Sequence, residues 1–165
     1  MIFDQVIIFH KCLESFRAES KKARGTETGG PLVGYVTAEN VLIAVDAAGP
    51  GPRAILKRYS VTIDGEYAQR FCDIASNMSD GHIDYVGDWH RHTGISLKPS
   101  PLDIYAMKIM AEFSYSPTHF PVSLIYRKWP EALVLYVWDG SGTLRRIPQS
   151  KVLLVDSFVR CHEPP

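Results

Sequence analysis

His90 and His92 stand one residue apart, and Asp103 follows a short loop and a serine in the stretch GDWHRHTGISLKPSPLD, residues 87–103. In an extended strand successive side chains point to opposite faces, so the two imidazoles share one side while Trp89 and Arg91 take the other. The loop 93–99 can turn the chain back beside that strand, and a helix opening at Ser100 would carry Asp103 in its first turn. Two neutral imidazole nitrogens and one carboxylate suit a zinc ion that keeps net positive charge and an open fourth position for water. Hydrolysis there also needs a proton shuttle, because the water must lose a proton and the leaving nitrogen must gain one. Glu27, in GTETGGPLVGY ahead of an apolar strand, offers that carboxylate, and the glycines at 29 and 30 let another backbone or a substrate come close.

Each piece has a plainer use. Ser100-Pro101-Leu102-Asp103 is a sound helix start in its own right, with Ser as N-cap, Pro at the first helical position and an acid near the positive end. A His-x-His pair occurs on surface strands by chance, and Glu27 alone would pass for an exposed acid before a strand. The combination is what chance rarely supplies. Asp88 shares the ligand face and is placed to support an imidazole. His10, His82, His119 and His162 have no partner spacing and read as surface or structural residues.

Positioning these groups requires alternating strands and helices, and the chain has that pattern without repeats or low-complexity tracts. Residues 6–9 read as a short strand, and KCLESFRAESKKA (11–23) puts Leu13 and Phe16 on one helical face before Gly25 stops it. GPLVGYV and NVLIAVDAA read as a hairpin turning near residues 37–40. GPGPRAILKR (49–58) combines two Gly-Pro pairs with three basic residues and reads as an exposed loop, followed by a strand in YSVTID. Asp64 opens a helix to about Met78, with Tyr67, Phe71, Ile74 and Ala75 at helical spacing. HIDYVGDWHRH is extended, and LDIYAMKIMAEF is helical. FPVSLIYRKW, ALVLYVWD and residues 143–147 complete the pattern as antiparallel strands, with residues 139–142 as a hairpin loop. The sum is an α/β domain with a mixed, mostly antiparallel sheet flanked by helices, in which Trp89, Trp129 and Trp138 are most simply core or half-buried.

Composition limits the function further. A chain of 165 residues is long enough for one domain with a proper core, 1–165. Lys and Arg number 18 against 18 Asp and Glu, so no overall field draws nucleic acid or an anionic membrane. No apolar run approaches the roughly 20 residues of a membrane helix, and MIFDQVIIFHKC lacks the basic start and long apolar core of a signal peptide. Cys12, Cys72 and Cys161 are an odd set with no CxxC pair, which suits small core fillers in a reducing cytoplasm.

Glu27-Thr28-Gly29-Gly30, then Gly87-Asp88-Trp89-His90-Arg91-His92, seven residues, and Ser100-Pro101-Leu102-Asp103 together resemble the JAMM signature of the JAB/MPN metalloprotease family. The Gly-Pro-Gly-Pro segment and the Tyr-Val-Gly-Asp-Trp lead-in extend the resemblance to small stand-alone bacterial JAB proteins, some of which are encoded beside ubiquitin-like conjugation proteins in antiphage operons. The resemblance implies an MPN (cytidine-deaminase-like) fold with one zinc on His90, His92 and Asp103, completed by a catalytic water. It implies Glu27 as general base, with Ser100 bonding the oxyanion. The implied reaction is hydrolysis of an amide or isopeptide bond after the C-terminus of a ubiquitin-like protein, with its conjugates and companion conjugation enzymes as partners. Relatives hold the modifier's tail as an added strand, and Arg53, Lys57 and Arg58 would lie near such a groove and can meet acidic groups there. Two other readings stay open: a peptidase that processes a sulfur-carrier or other small protein, and a non-catalytic MPN scaffold. Thr93-Gly94 stands where many relatives have Pro, and Pro31 removes a backbone donor after the paired glycines.

Overall fold

The computed structural model describes residues 3–112 and 120–156. Along the chain run β1 (Gln5–Phe9), α1 (His10–Lys22), β2 (Thr28–Val36), β3 (Val41–Ala47), β4 (Ile55–Lys57), β5 (Ser60–Thr62), α2 (Gly65–Met78), β6 (Asp84–Arg91), α3 (Pro101–Glu112), β7 (Val122–Arg127), β8 (Ala132–Trp138), β9 (Leu144–Arg146), a 3-10 turn at Gln149–Lys151 and β10 (Val152–Val155). Eight strands join in the order β10-β1-β3-β2-β6-β7-β8-β9, while β4 and β5 pair apart as a small hairpin. β1 runs parallel to β3 and β10, and β6 to β7. The remaining pairs are antiparallel, which gives the mixed, mostly antiparallel α/β sheet that the sequence pattern predicts.

Alternation along the strands divides the core between the two faces. Val6, Ile8, Leu32, Leu42, Trp89 and Leu124 pack with Leu13 and Phe16 of α1. The Phe16 ring lies 4.5 Å from that of Trp89 and 5.7 Å from that of Tyr126. Burying a large apolar side chain contributes roughly 1.5–3 kcal/mol, so this aromatic trio pins α1 across the sheet centre. On the other face Ile125, Val134 and Trp138 pack under Met107 of α3, and Val33 and Tyr85 under Cys72 of α2. His90 of β6 stands on that second face, beside Asp103 and Met107 of α3.

Several expectations are corrected. Trp129 is 86% exposed, because it lies in the turn between β7 and β8 rather than in either strand. The 49–58 segment is not loop throughout: residues 55–57 pair with 60–62, where a β-branched and aliphatic run overrides the preceding Gly-Pro signals. The strand expected over 59–64 shrinks to Ser60–Thr62, since Asp64 is committed to capping α2 through the Tyr67 N–H. Tyr67 and Ile74 of α2 are exposed, and Cys72 is the buried residue of that helix. β10 adds a parallel edge strand beside β1 that the sequence pattern did not suggest. Phe113, His119, Cys161 and His162 lie outside the described residues. Among the described residues no helix is long and apolar enough to cross a membrane.

Candidate metal centre

The centre is built on the pairing of β2 with β6. Thr28 pairs with Arg91 and Gly29 with His90, so continuing the register by one residue brings Glu27 alongside His92 on the ligand face. The pairing needs glycine at 29. A Cβ there would lie 2.4 Å from the Trp89 carbonyl oxygen and 2.8 Å from the His90 Cβ, closer than such atoms approach. The loop after His92 then returns the chain to α3, as the sequence predicts, with Ser100 immediately ahead of the helix.

Three donor atoms converge. His90 Nε2 lies 2.9 Å from His92 Nε2. Asp103 Oδ1 is 3.4 Å from His90 Nε2, and Asp103 Oδ2 is 3.6 Å from His92 Nε2. In a tetrahedral site with metal–ligand bonds of about 2.0–2.1 Å, neighbouring donors stand about 3.3–3.4 Å apart. The two His–Asp distances, each to a different oxygen of Asp103, are near that spacing and the His–His distance is shorter, and two imidazole nitrogens with a carboxylate are donor chemistry that zinc takes. His92 Nδ1 faces the Ser96 carbonyl at 3.0 Å, which fixes its proton on Nδ1 and leaves the Nε2 lone pair for a metal.

Electrostatics follow the geometry. Burial alone would raise the Asp103 carboxyl, but hydrogen-bonding interactions with His90 and His92, together with the Ser100 N–H, outweigh it and hold the group well below the usual carboxylate range. Burial opposes charge on His92, yet Asp103, the Ser96 carbonyl and Glu27 pull its pKa above the ordinary imidazole value. Glu27 is buried, and its pKa is raised by desolvation, with His92 and His90 acting in the opposite direction. It lines a cavity of about 90 Å³ together with Asp88, His90, Leu102, Asp103 and Met107.

All five site residues expected from sequence therefore have defined places. Glu27, His90 and Asp103 share the cavity wall, His92 closes the donor triangle, and Ser100 caps the helix that carries Asp103. Asp88 is on the ligand face beside Tyr85, with its carboxyl pushed up to about 6 by burial. The hydrogen bond that orients His92, however, comes from the Ser96 carbonyl, a backbone group with no side-chain signature in the sequence. Arg53, expected to face a partner, instead turns onto Asp64 and Glu66 at 3.1 and 2.6 Å. The β4–β5 hairpin flanks the centre: the Glu27 N–H donates to the Lys57 carbonyl at 2.7 Å, and the Thr93 hydroxyl to the Arg58 carbonyl at 2.8 Å.

The chain matches the family of prokaryotic homologues of the JAB domain over residues 10–136, a span that holds every residue of the centre. It is 28% identical over 137 residues to the probable metalloprotease y4qB of Sinorhizobium fredii, with 82% of this chain and 83% of that protein covered. Its fold is similar to the solution structure of protein DSY2949 from Desulfitobacterium hafniense, at a TM-score of 0.66 and 13% identity, covering 97% of this chain and 99% of that one.

Proposed function

The chain belongs to the family of prokaryotic JAB-domain homologues, and on that footing we propose that it is a JAMM-type zinc metalloprotease acting on an amide or isopeptide bond after the C-terminus of a ubiquitin-like protein. Metal-dependent hydrolysis is the level on which the family, the Sinorhizobium relative and the donor cluster agree. The observation that carries it is the convergence of the His90, His92 and Asp103 donors beside a small cavity that His90, Asp103 and the buried Glu27 all line.

His90, His92 and Asp103 would hold the ion, and zinc in that position supplies Lewis acidity toward a carbonyl and makes water acidic enough to react near neutral pH. The protein's own groups do the rest. Glu27, with its pKa raised by burial, accepts a proton from the attacking water and delivers it to the leaving nitrogen as the C–N bond breaks, so that the products are a carboxylate and an amine. Ser100 Oγ accepts the Asp103 N–H at 3.2 Å and keeps its own proton to donate toward developing negative charge on the carbonyl oxygen. No covalent enzyme intermediate is required, and neither Cys12 nor Cys72 lies on the cavity wall.

The substrate class rests on the JAMM resemblance, and two local features support it. The β4–β5 hairpin is a short extended platform beside the centre, with Ile55 and Tyr59 exposed on it, and Tyr59 also lines the cavity. Lys57 and Arg58 remain as its basic residues, the Arg58 guanidinium lying 5.3 Å from the Tyr59 ring centroid. The same proposal includes companion conjugation enzymes, a bacterial antiphage role and a cytoplasmic setting. The complete donor set with its acid speaks against a scaffold without catalysis.

The test is cleavage of a ubiquitin-like protein fused through its C-terminus to a reporter, using wild type, Glu27→Ala and chelator-treated enzyme, with metal content measured on each. Cleavage directly after the modifier, lost in both treated samples, is the expected result. Stoichiometric zinc without cleavage of any such fusion would move the substrate to another small protein, and wild type that takes up no zinc would end the hydrolase reading.

A further inference from the structure

Arg91 sits between the two histidine ligands but points away from them. Its side chain enters the α1 face of the sheet, where residue exposure is 8%. There Nη1 donates to the Ser20 carbonyl at 2.9 Å, and Nη2 donates to the Ala23 carbonyl at 2.8 Å and to the Thr26 carbonyl. Ser20 is in the last turn of α1 and Ala23 is its C-cap, so both carbonyls belong to the end of a helix, where in-helix donors run out and a cation is favoured. Thr26 belongs to the crossing from α1 into β2 and immediately precedes Glu27.

One planar guanidinium thus ties three segments together: the ligand strand, the end of α1 and the backbone just ahead of the acid. A fork of fixed geometry does this in a way a single ammonium cannot, because its donors diverge in one plane toward separate acceptors. We propose that Arg91 is a positioning residue for Glu27, setting the distance between the acid and the two imidazoles by anchoring both to the same strand. This rests on the functional reading above. The Glu27 backbone is held from its other side by the bond from its own N–H to the Lys57 carbonyl, so loss of the Arg91 side chain removes the tie between the ligand strand and Thr26, the residue immediately ahead of the acid. A displacement of about 1 Å between a catalytic group and the reacting atoms costs on the order of a hundredfold in rate.

The experiment uses the full chain as wild type, Arg91→Met, which keeps the apolar stem, and Arg91→Lys, which keeps charge and part of the donor set. Zinc stoichiometry, kcat and KM on the fusion substrate, and amide hydrogen exchange over residues 24–28 are read on each. In Arg91→Met we expect one zinc per chain, KM within about threefold, kcat lowered about 10- to 100-fold, and faster exchange at the Glu27 amide. Arg91→Lys should recover part of both kcat and protection, and it decides the question if Arg91→Met does not fold. Unchanged kcat and unchanged exchange would overturn the proposal, as would a loss of kcat that follows zinc loss in proportion, since Arg91 would then support the ligand strand and not the acid. If wild type cleaves nothing, the functional reading fails, and the exchange comparison alone decides whether Arg91 anchors Glu27.

Discussion

Ser100 and Asp103 cap each other. The Ser100 N–H donates to Asp103 Oδ2 at 2.5 Å, and the Asp103 N–H donates to Ser100 Oγ at 3.2 Å. One oxygen of the carboxylate proposed to hold the metal is therefore also held by backbone at the start of α3. Replacing Ser100 by Ala removes both the cap and the hydroxyl donor. The expected loss is about 1 kcal/mol of stability from the cap and a fall of about 10²- to 10³-fold in kcat, measured by thermal unfolding and by steady-state cleavage.

Glu27→Gln keeps the shape of the side chain and removes the proposed base. Zinc binding should persist, while kcat falls by about 10²- to 10⁴-fold. In wild type the base must be ionised, and burial raises its pKa above the ordinary value of 4.5. The rate should therefore fall on acidification through a midpoint above 4.5, and a profile flat down to that pH would assign the proton transfer to another group.

Gly29→Ala would place a methyl 2.4 Å from the Trp89 carbonyl oxygen and 2.8 Å from the His90 Cβ. Backbone cannot yield as a flexible side chain can, so β2 and β6 must separate at the ligand. Overpacking of this kind costs about 1–3 kcal/mol, and the variant should bind zinc more weakly as well as unfold at lower temperature. Weaker zinc binding with unchanged unfolding would point to a purely local effect.

Away from the centre, Glu131 accepts two bonds from the Arg17 guanidinium, at 2.8 and 2.7 Å, and one from the Tyr126 hydroxyl at 2.7 Å. The Arg17 hydrogen bonds, stronger than the opposing burial and aided by Tyr126, lower its carboxyl from 4.5 to about 2. A carboxylate depressed on folding contributes stability that is present above its unfolded pKa and lost as pH falls through the folded one. Wild type should therefore lose this contribution between about pH 4.5 and 2, and Glu131→Gln should flatten that part of the stability curve. The partners are partly exposed, so the effect will be modest and will shrink with added salt.

The centre was legible because its information is local. Strand alternation set His90 and His92 on one side, and a capping pattern placed Asp103 in a first turn. The β2–β3 hairpin and the Asp64 start of α2 were legible for the same reason. What escaped depends on contacts between distant segments. β10 is four residues long and finds its partner in β1, nearly the whole chain away. Strand alternation puts Arg91 on the Trp89 face, but its carbonyl acceptors come from α1 and the 24–27 crossing, which no local pattern links to it. Trp129 shows the reverse case, an aromatic whose type suggests burial and whose place in a turn prevents it.

The order of strands across the sheet also sets an order in time. β6 is covered on one side by β2, which is made before it, and on the other by β7, made after α3. During synthesis the strand that bears His90 and leads into His92 is consequently an open edge until residue 127 has left the ribosome, a delay of seconds at about 5–20 residues per second. For that interval the nascent chain presents unpaired main-chain groups beside His90, although Glu27, His92 and Asp103 have already been made.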